Sequence, residues 1–165
     1  MEGAEYHVTA RINREEKIFL AREDRELFMS ILKRARQKYN FSLKNFCIMG
    51  NHVHLLIKPA SGESLSKIMQ WLLGVFAQAW NKKHGLSGHL WGDRFFSRII
   101  QGLLDFLRVF LYIDNNPVFT GLVEESEQWE YGGLWHHKKW LTDVVGLAEP
   151  VVLKYFPDHY FIPLS

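Results

Sequence analysis

The amino-acid sequence predicts an α+β fold: a four-stranded antiparallel sheet with helices on one face, followed by an extra helix that carries Tyr112. Segments with alternating apolar residues are interspersed with segments whose apolar residues recur every three or four positions, in the order β-α-β-β-α-β-α. This order is the ferredoxin-like split β-α-β plan with one helix added. A chain of 165 residues is long enough for one such domain with a substantial core.

The first half of the chain contains three predicted strands and one predicted helix. Residues 6–12 have the pattern of a strand, and residues 24–39 carry apolar side chains on one helical face and charges on the other. Residues 41–49 and 52–58 are two further strands. They are joined at positions 50–51 by a glycine–asparagine pair, which is typical of tight turns.

The second half begins with a second predicted helix, which Ser64 can cap and which ends near Gly85. After a glycine-rich loop, residues 94–101 form a fourth strand. Residues 103–116 then form the third helix, and Pro117 is expected to end it because proline cannot continue a helix. The remainder of the chain is less regular.

Composition limits the class of protein. Hydrophobic residues make up 47% of the chain and aromatic residues 15%, which excludes disorder as the default. The net charge of +2 is too small to identify a nucleic-acid partner, but positions 67–108 carry six Lys or Arg and two Asp. Positions 114–130 carry five acidic residues and no basic one. We therefore expect phosphate binding in the basic part of the chain.

The single cysteine and the lack of a targeting signal suggest a location. Cys47 excludes an internal disulfide, fits a reducing compartment and is expected to be a buried, inert thiol. The N-terminus has neither a basic nor an apolar signal region, and no apolar run reaches the roughly 18 residues of a membrane span. The expectation is a soluble cytoplasmic protein without a membrane partner.

Two histidines lie on one predicted strand and form half of a possible metal site. His52 and His54 are two residues apart, so both imidazoles point to the same sheet face, while Val53 points to the other. Neutral imidazoles are common metal ligands, but two of them do not complete a site. On spacing alone, a structural role for the two histidines is about equally plausible.

A polar row on the third helix suggests the rest of that site. Arg108, Tyr112 and Asn116 recur every four residues, so they share one face of an otherwise apolar helix. Asn116 can offer an amide oxygen to Mg²⁺ or Mn²⁺, and Tyr112 can act as a covalent nucleophile beside it. The alternative is that Tyr112 is one more aromatic residue of the core.

A second pattern is typical of single-stranded nucleic-acid binding. Arg94, Phe96 and Arg98 alternate on one strand face, which places an aromatic ring between two cations. A solvated charged edge explains the same pattern equally well. Four further histidines, at positions 84, 89, 136 and 137, are mostly expected at the solvated surface.

Several of these segments together resemble a known family, the single-tyrosine HUH transposases of the IS200 type, and in particular its REP-associated branch. The resemblance covers residues 6–123, with the motifs in the same order. The matching stretches are YHVTAR from Tyr6, MGNHVHLLI from Met49, LSKIMQ from Leu65, GHLW from Gly88 with Arg94-Phe95, and Tyr112-Ile113 followed by Asn116-Pro117-Val118.

The resemblance implies a dimer that binds single-stranded DNA with a hairpin and cleaves it through a 5′-phosphotyrosine. It makes Tyr112 the nucleophile and assigns His52, His54 and Asn116 to a divalent metal, Mg²⁺ or Mn²⁺, with no nucleotide cofactor. It also implies a catalytic domain over residues 1–123 and an extension over residues 124–165 packed on or next to it. The expected DNA-binding residues are Arg11, Lys67, Lys82, Lys83, Arg94, Phe96, Arg98 and Arg108.

The chain departs from the family pattern near the tyrosine. Leu111 stands where an arginine is frequent, and Phe119-Thr120 replace a common Arg-Ala pair. Gly50 replaces a usual proline, which affects the stiffness of the turn. The lost cations bear on DNA affinity or hairpin choice and not on the reaction class, and Arg98 and Arg108 are candidates to compensate. A catalytically silent module that binds a DNA or RNA hairpin is the alternative function, and a purely structural dimer would leave the polar row unexplained.

Overall fold

The predicted four-stranded antiparallel sheet is confirmed. The computed structural model of the chain describes residues 2–13, 19, 21–92 and 94–159. The strands are paired in the order β2-β3-β1-β4, and every pair is antiparallel. Their bounds are β1 (Tyr6–Arg11), β2 (Phe41–Ile48), β3 (His52–Pro59) and β4 (Phe96–Ile99).

Strand β4 is shorter than the predicted 94–101. It pairs with only the first four residues of β1, from Tyr6 to Thr9. Beyond that point Ile12 bridges Trp91 in the preceding loop, so a longer β4 would have no partner there. Arg94 consequently precedes the strand.

Two long helices cover one face of the sheet. Helix α1 (Arg22–Lys38) packs on α2 (Leu65–His84). The Ser64 side chain accepts the Lys67 backbone N–H at the start of α2, and Gly85 ends the helix with a φ of 64°. The apolar strand residues that face these helices are fully buried, among them Val8, Val53, Leu55 and Ile57.

Helix α3 (Gly102–Phe119) packs on the other face of the sheet, against β2 and β3. The prediction that Pro117 ends it was wrong, because the helix continues to Phe119. Proline near a C-terminus loses one N–H bond, and the last turn closes without it, since the Thr120 N–H donates to the Asn116 carbonyl at 3.1 Å. Asn116 therefore lies inside a regular helix. No helix in the described ranges is long and apolar enough to cross a membrane.

The C-terminal segment, residues 124–159, packs along the outer edge of β2 and contains α4 (Gly133–Lys138) and α5 (Pro150–Tyr155). The Ile48 N–H donates to the Tyr131 carbonyl at 2.9 Å, and Cys47 bridges Gly132. The division at residue 123 stays a prediction, and residues 160–165 of the predicted extension lie outside the described residues. Cys47 is buried, as predicted, and burial raises the pKa of its thiol.

The expectation of solvated histidines was wrong for His136 and His137, which are each 6% exposed. The reason is that α4 packs directly on β2, where the His136 ring meets Phe46 at a centroid distance of 5.2 Å. The expectation is confirmed for His84 and His89, which are both exposed, and His84 at the end of α2 also contacts Asp24 at 3.1 Å.

Candidate functional site

His52 and His54 share one face of the sheet, as the strand pattern predicts. In the register of β1 and β3, Arg11 is opposite His52 and Thr9 is opposite His54. Cross-strand partners lie on the same face. We call this the site face. Because α1 and α2 occupy the opposite face, α3 is the one helix in the described ranges that approaches the two imidazoles from above the sheet.

His54 is buried among polar neighbours from β1. Its Nδ1 lies 3.1 Å from His7 Nε2 and 3.2 Å from Thr9 Oγ1. Its other ring nitrogen, Nε2, is buried and has no hydrogen-bond partner in the described part of the chain. A buried nitrogen without a partner is unfavourable unless something binds it. The geometry therefore leaves His54 Nε2 available to a ligand.

His52 is oriented from both sides. Its Nδ1 lies 2.8 Å from the Oδ1 of the adjacent Asn51, and its ring is also hydrogen-bonded to the Asn116 side chain. The predicted trio of His52, His54 and Asn116 thus comes together where α3 crosses β3. This proximity links a strand hairpin to a helix that follows it by more than forty residues.

Both imidazoles of the pair are neutral at pH 7. Burial, reinforced by Arg11, lowers the pKa of His52 to about 4, although the hydrogen bond between the ring and the Asn116 side chain raises it. Burial and the neighbouring His52, His7 and Arg11 lower the pKa of His54 to about 3. Neutral rings offer lone pairs, which is the form that binds metal ions.

Tyr112 lies beside this pair with its side chain open to solvent. It is 46% exposed, which is inconsistent with the alternative of a core aromatic. Its ring centroid is 5.5 Å from that of His54 and 6.0 Å from that of His7. The tyrosine and the two imidazoles therefore meet within one chain.

The polar row on α3 is partly exposed and partly buried. Arg108 is exposed one turn before Tyr112, and Asn116 is buried one turn after it. The row therefore descends from solvent at Arg108 to the imidazole pair at Asn116. The side chain of Tyr112, which lies between these two environments, can contact a bound substrate while its backbone stays helical.

The donor set suits a divalent cation of the Mg²⁺ or Mn²⁺ class, although it is small. It consists of two neutral imidazoles, one of them with an orphaned nitrogen, and an amide oxygen. Among the residues that the structure describes, no group of three or more His, Cys, Asp or Glu side chains could hold a metal ion. Any ion at this site would therefore need oxygen ligands from substrate or water as well.

Three of the predicted DNA-binding residues lie on the site face. Arg11 is opposite His52, while Phe96 and Arg98 of β4 are opposite Thr9 and His7. Phe96 is 66% exposed, so its ring is open to solvent on the site face. The alternation that predicted a shared face for Phe96 and Arg98 is thus confirmed.

Arg98 is engaged by an acidic residue of α3. Its two terminal nitrogens bind the Asp105 carboxylate at 2.8 and 3.0 Å. This pair, together with the Gln101 N–H, holds the pKa of Asp105 at about 2. Arg98 is therefore partly neutralised, a feature that the strand pattern could not reveal.

The predicted lysines lie elsewhere. Lys67, Lys82 and Lys83 are on α2, which covers the opposite face of the sheet. Lys83 also forms an ion pair with the buried Asp24 at 3.0 Å. Arg94 is exposed ahead of β4. The structure therefore does not bring the three lysines to the imidazole pair, and Arg108 lies on the helix that carries Tyr112.

Sequence reasoning missed His7 and Thr9, which contact His54 directly. The sequence contains only part of the information needed to find them. Alternation places both residues on one face of β1, but the register between β1 and β3 decides which histidine they meet.

Comparisons with known proteins point in one direction. The model of a family described as "Transposase IS200 like" matches residues 1–116, more than half of the chain. A relative from Haemophilus influenzae, named "Putative REP-associated tyrosine transposase", is 30% identical over 115 residues. That match covers 63% of this chain and 65% of the relative, so the chain spans just under two thirds of the relative's length.

Two solved structures share the fold. One, described as a REP-associated tyrosine transposase bound to a REP hairpin, has a TM-score of 0.70 at 17% identity and covers 92% of this chain and 85% of its own. The other, described as a putative transposase from Deinococcus radiodurans, has a TM-score of 0.51 at 18% identity, with coverages of 67% and 88%. At these identities the likeness establishes the fold alone.

Proposed function

This chain belongs to the family of IS200-like transposases, and we propose that it cleaves and rejoins single-stranded DNA through a covalent 5′-phosphotyrosine on Tyr112. The observation that carries the proposal is the position of a half-exposed phenol beside two neutral imidazoles. An exposed tyrosine has no packing reason to lie there. Its position beside a potential metal site supports the proposed role of Tyr112 as a nucleophile.

The proposed chemistry consists of two balanced transfers. The Tyr112 oxygen attacks the phosphorus of one phosphodiester, the bond to the 3′-oxygen breaks, and the loss of the phenolic proton is matched by protonation of that oxygen. The products are a 5′-phosphotyrosine and a free 3′-hydroxyl. A 3′-hydroxyl then attacks the same phosphorus and releases Tyr112. The number of phosphate ester bonds is conserved, so no nucleotide cofactor is consumed.

His52, His54 and Asn116 are the residues that would hold Mg²⁺ or Mn²⁺ in this proposal. When bound, such an ion supplies Lewis-acid polarisation of the scissile phosphate. Neighbouring side chains orient the two imidazoles for metal binding. The Asn51 contact orients the His52 ring, and the His7 and Thr9 contacts at His54 Nδ1 leave Nε2 as the free nitrogen.

The proposed DNA path crosses the site face beside β4. The exposed Phe96 ring offers a stacking surface for a base, and Arg11 and Arg98 flank it as cations for phosphates. The solved neighbour is described as bound to a REP hairpin, and we extend hairpin binding to this chain as part of the proposal. A homodimer is also proposed, although Tyr112 and the His pair meet within one chain.

A direct test incubates the protein with labelled single-stranded DNA carrying hairpins from sequence that flanks the gene, with Mn²⁺ or with EDTA. Denaturing electrophoresis then reports covalent products. The proposal predicts an adduct that requires Mn²⁺ and is absent from Tyr112→Phe, while this variant still binds the DNA. Binding without an adduct across several flanking hairpins would overturn the proposal in favour of a silent binding module.

A further inference from the structure

A buried chain of polar side chains joins the C-terminal segment to the tyrosine helix. Asp114 lies on α3 between Tyr112 and Asn116 in sequence, and it is buried. Two residues along a helix correspond to a rotation of about 200°, so Asp114 projects from the side of α3 opposite Tyr112. Residues that bind Asp114 therefore contact α3 on the side opposite Tyr112.

The Asp114 carboxylate is bound on both oxygens. Its Oδ1 accepts from Asn45 Nδ2 of β2 at 2.8 Å, and its Oδ2 lies 2.6 Å from His159 Nε2 of the C-terminal segment. Asn45 is itself fully engaged, since its Oδ1 accepts the Phe46 N–H at 2.9 Å. The helix is thus tied both to the sheet and to the end of the described chain.

The C-terminal segment is shaped around this arrangement. A Cβ on Gly133, at the start of α4, would collide with Asn45 Oδ1, so only glycine leaves room for the Asn45 side chain there. His159 contacts a second buried histidine, His137 of α4, through their Nδ1 atoms. His137 Nε2 lies 2.9 Å from the Gly146 carbonyl.

The hydrogen-bond partners define which atoms donate and which accept along this series of buried side chains. A carbonyl can only accept, so His137 Nε2 carries the hydrogen, and burial lowers the pKa of His137 to about 3, which keeps that ring neutral. Its Nδ1 is therefore an acceptor, and His159 Nδ1 donates to it. One hydrogen then lies between His159 Nε2 and Asp114 Oδ2. Each side-chain polar atom of Asn45, Asp114, His137 and His159 thus has a matched partner.

We propose that His159 and Asp114 are positioning residues for the reaction of Tyr112: through their contact, the C-terminal segment fixes the rotation of α3 and thereby the placement of Tyr112 and Asn116 over the imidazole pair. This inference rests on the proposed function. A side chain that must meet a phosphorus in line tolerates little displacement, and an error of about 1 Å can reduce a rate about 100-fold. A helix held only by apolar packing is less firmly fixed in rotation.

The hydrogen-bond pattern identifies a conservative variant that should preserve the positioning. In Asp114→Asn, the amide oxygen can still accept from Asn45, and the amide nitrogen can donate to a neutral His159. In His159→Phe, a ring of similar size occupies the site, but Asp114 Oδ2 loses its partner. His136→Gln is a matched control, because His136 is another buried histidine of α4 that binds the Glu130 carbonyl and not Asp114.

The experiment measures the rate of covalent adduct formation, the Kd for hairpin DNA and the thermal midpoint of each variant. His159→Phe is expected to lower the adduct rate about 10- to 100-fold with an unchanged Kd, whereas Asp114→Asn and His136→Gln stay within about threefold of wild type. A wild-type rate in His159→Phe would overturn the proposal. So would equal losses in His159→Phe and His136→Gln, because those would indicate general loosening of the segment.

Amide hydrogen exchange keeps this test separate from the proposed function. If the wild-type protein forms no adduct, the proposed function fails, but exchange in α3 still reports the coupling. His159→Phe should accelerate exchange in the last two turns of α3, and His136→Gln should not. If His159→Phe does not fold, His159→Gln replaces it in the test. The adduct rate is then expected to fall less in His159→Gln than in Asp114→Leu. Unchanged α3 exchange in the folded variant would contradict the inference.

Discussion

The ring of Tyr112 lies 5.5 Å from the ring of His54, centroid to centroid, and the two planes are almost perpendicular at 84°. One ring is half-exposed on α3 and the other is buried on β3. The contact therefore joins a solvent-accessible phenol to a protected imidazole. In the proposed reaction, this contact puts the nucleophile and a metal-binding group beside the same phosphate.

The first prediction concerns metal binding. His54→Phe removes the orphaned Nε2 while retaining a ring of similar size, so Mn²⁺ affinity should fall by at least about tenfold. Isothermal titration calorimetry with Mn²⁺ measures this directly, and removal of metal by EDTA should abolish adduct formation by the wild type. His136→Gln should bind Mn²⁺ as the wild type does. An undiminished affinity in His54→Phe would remove His54 from the ligand set.

The second prediction concerns base stacking. Phe96→Ala should weaken binding of single-stranded DNA by about 1–3 kcal/mol, because an exposed aromatic ring offers a stacking surface to a base. The thermal midpoint should hardly change, since Phe96 is 66% exposed and contributes little to the core. Phe119→Ala is the matched control, at 71% exposure beyond the polar row of α3. Equal effects of the two variants would contradict a stacking role for Phe96.

The third prediction concerns the ion pair of Arg98 with Asp105. Asp105→Asn releases Arg98 for a phosphate while the amide oxygen can still accept the Gln101 N–H. Affinity for single-stranded DNA should rise at low salt, and the slope of log K against log salt should steepen by about 0.7, as expected for one added phosphate contact. Fluorescence anisotropy over a salt series measures both quantities. The gain should vanish when Arg98→Gln is added, and a gain that persists would assign the effect elsewhere.

The fourth prediction concerns pH. Burial lowers the pKa of His136 to about 4, below the ordinary value of 6.5. As the pH falls from 6.5 to 4, His136 therefore takes up a proton in the unfolded chain but not yet in the folded chain. Stability is therefore present above pH 6.5 and is lost as pH falls towards 4. Between pH 7.5 and 4.5 this group should contribute a loss of about 2–3 kcal/mol.

Chemical denaturation at the two pH values tests the role of His136. His136→Gln keeps a donor for the Glu130 carbonyl but cannot titrate, so its free energy of unfolding should fall less with acidification than that of the wild type. The comparison uses the difference between pH values, so a uniform change in packing cancels. An identical acid loss in the variant would show that other groups account for it.

Much of the candidate site could be predicted because it follows from two periodicities. A spacing of two put His52 and His54 on one face, and a spacing of four put Arg108, Tyr112 and Asn116 on one row. Both relations are local, so no knowledge of strand pairing was needed. The resemblance to IS200-type transposases then supplied the relation between the two groups.

The rest depends on contacts between distant parts of the chain. His7 meets His54 only through the register of β1 and β3, and Arg98 loses its free charge only because α3 begins beside it. The buried state of His137 and His159 depends on how the C-terminal segment folds back on α3. Pro117 was misjudged because a rule for helix interiors was applied to a last turn, where a single lost bond has little consequence.

The most direct test of the account identifies the residue that carries the DNA. The protein is reacted with a cleavable hairpin oligonucleotide in Mn²⁺, digested with nuclease and protease, and analysed by mass spectrometry for a nucleotide-modified tyrosine. The account predicts modification of the peptide containing Tyr112 and an unmodified Tyr155, an equally exposed tyrosine at 47%. Modification at any other residue, or a cleaved oligonucleotide without attached protein, would contradict it.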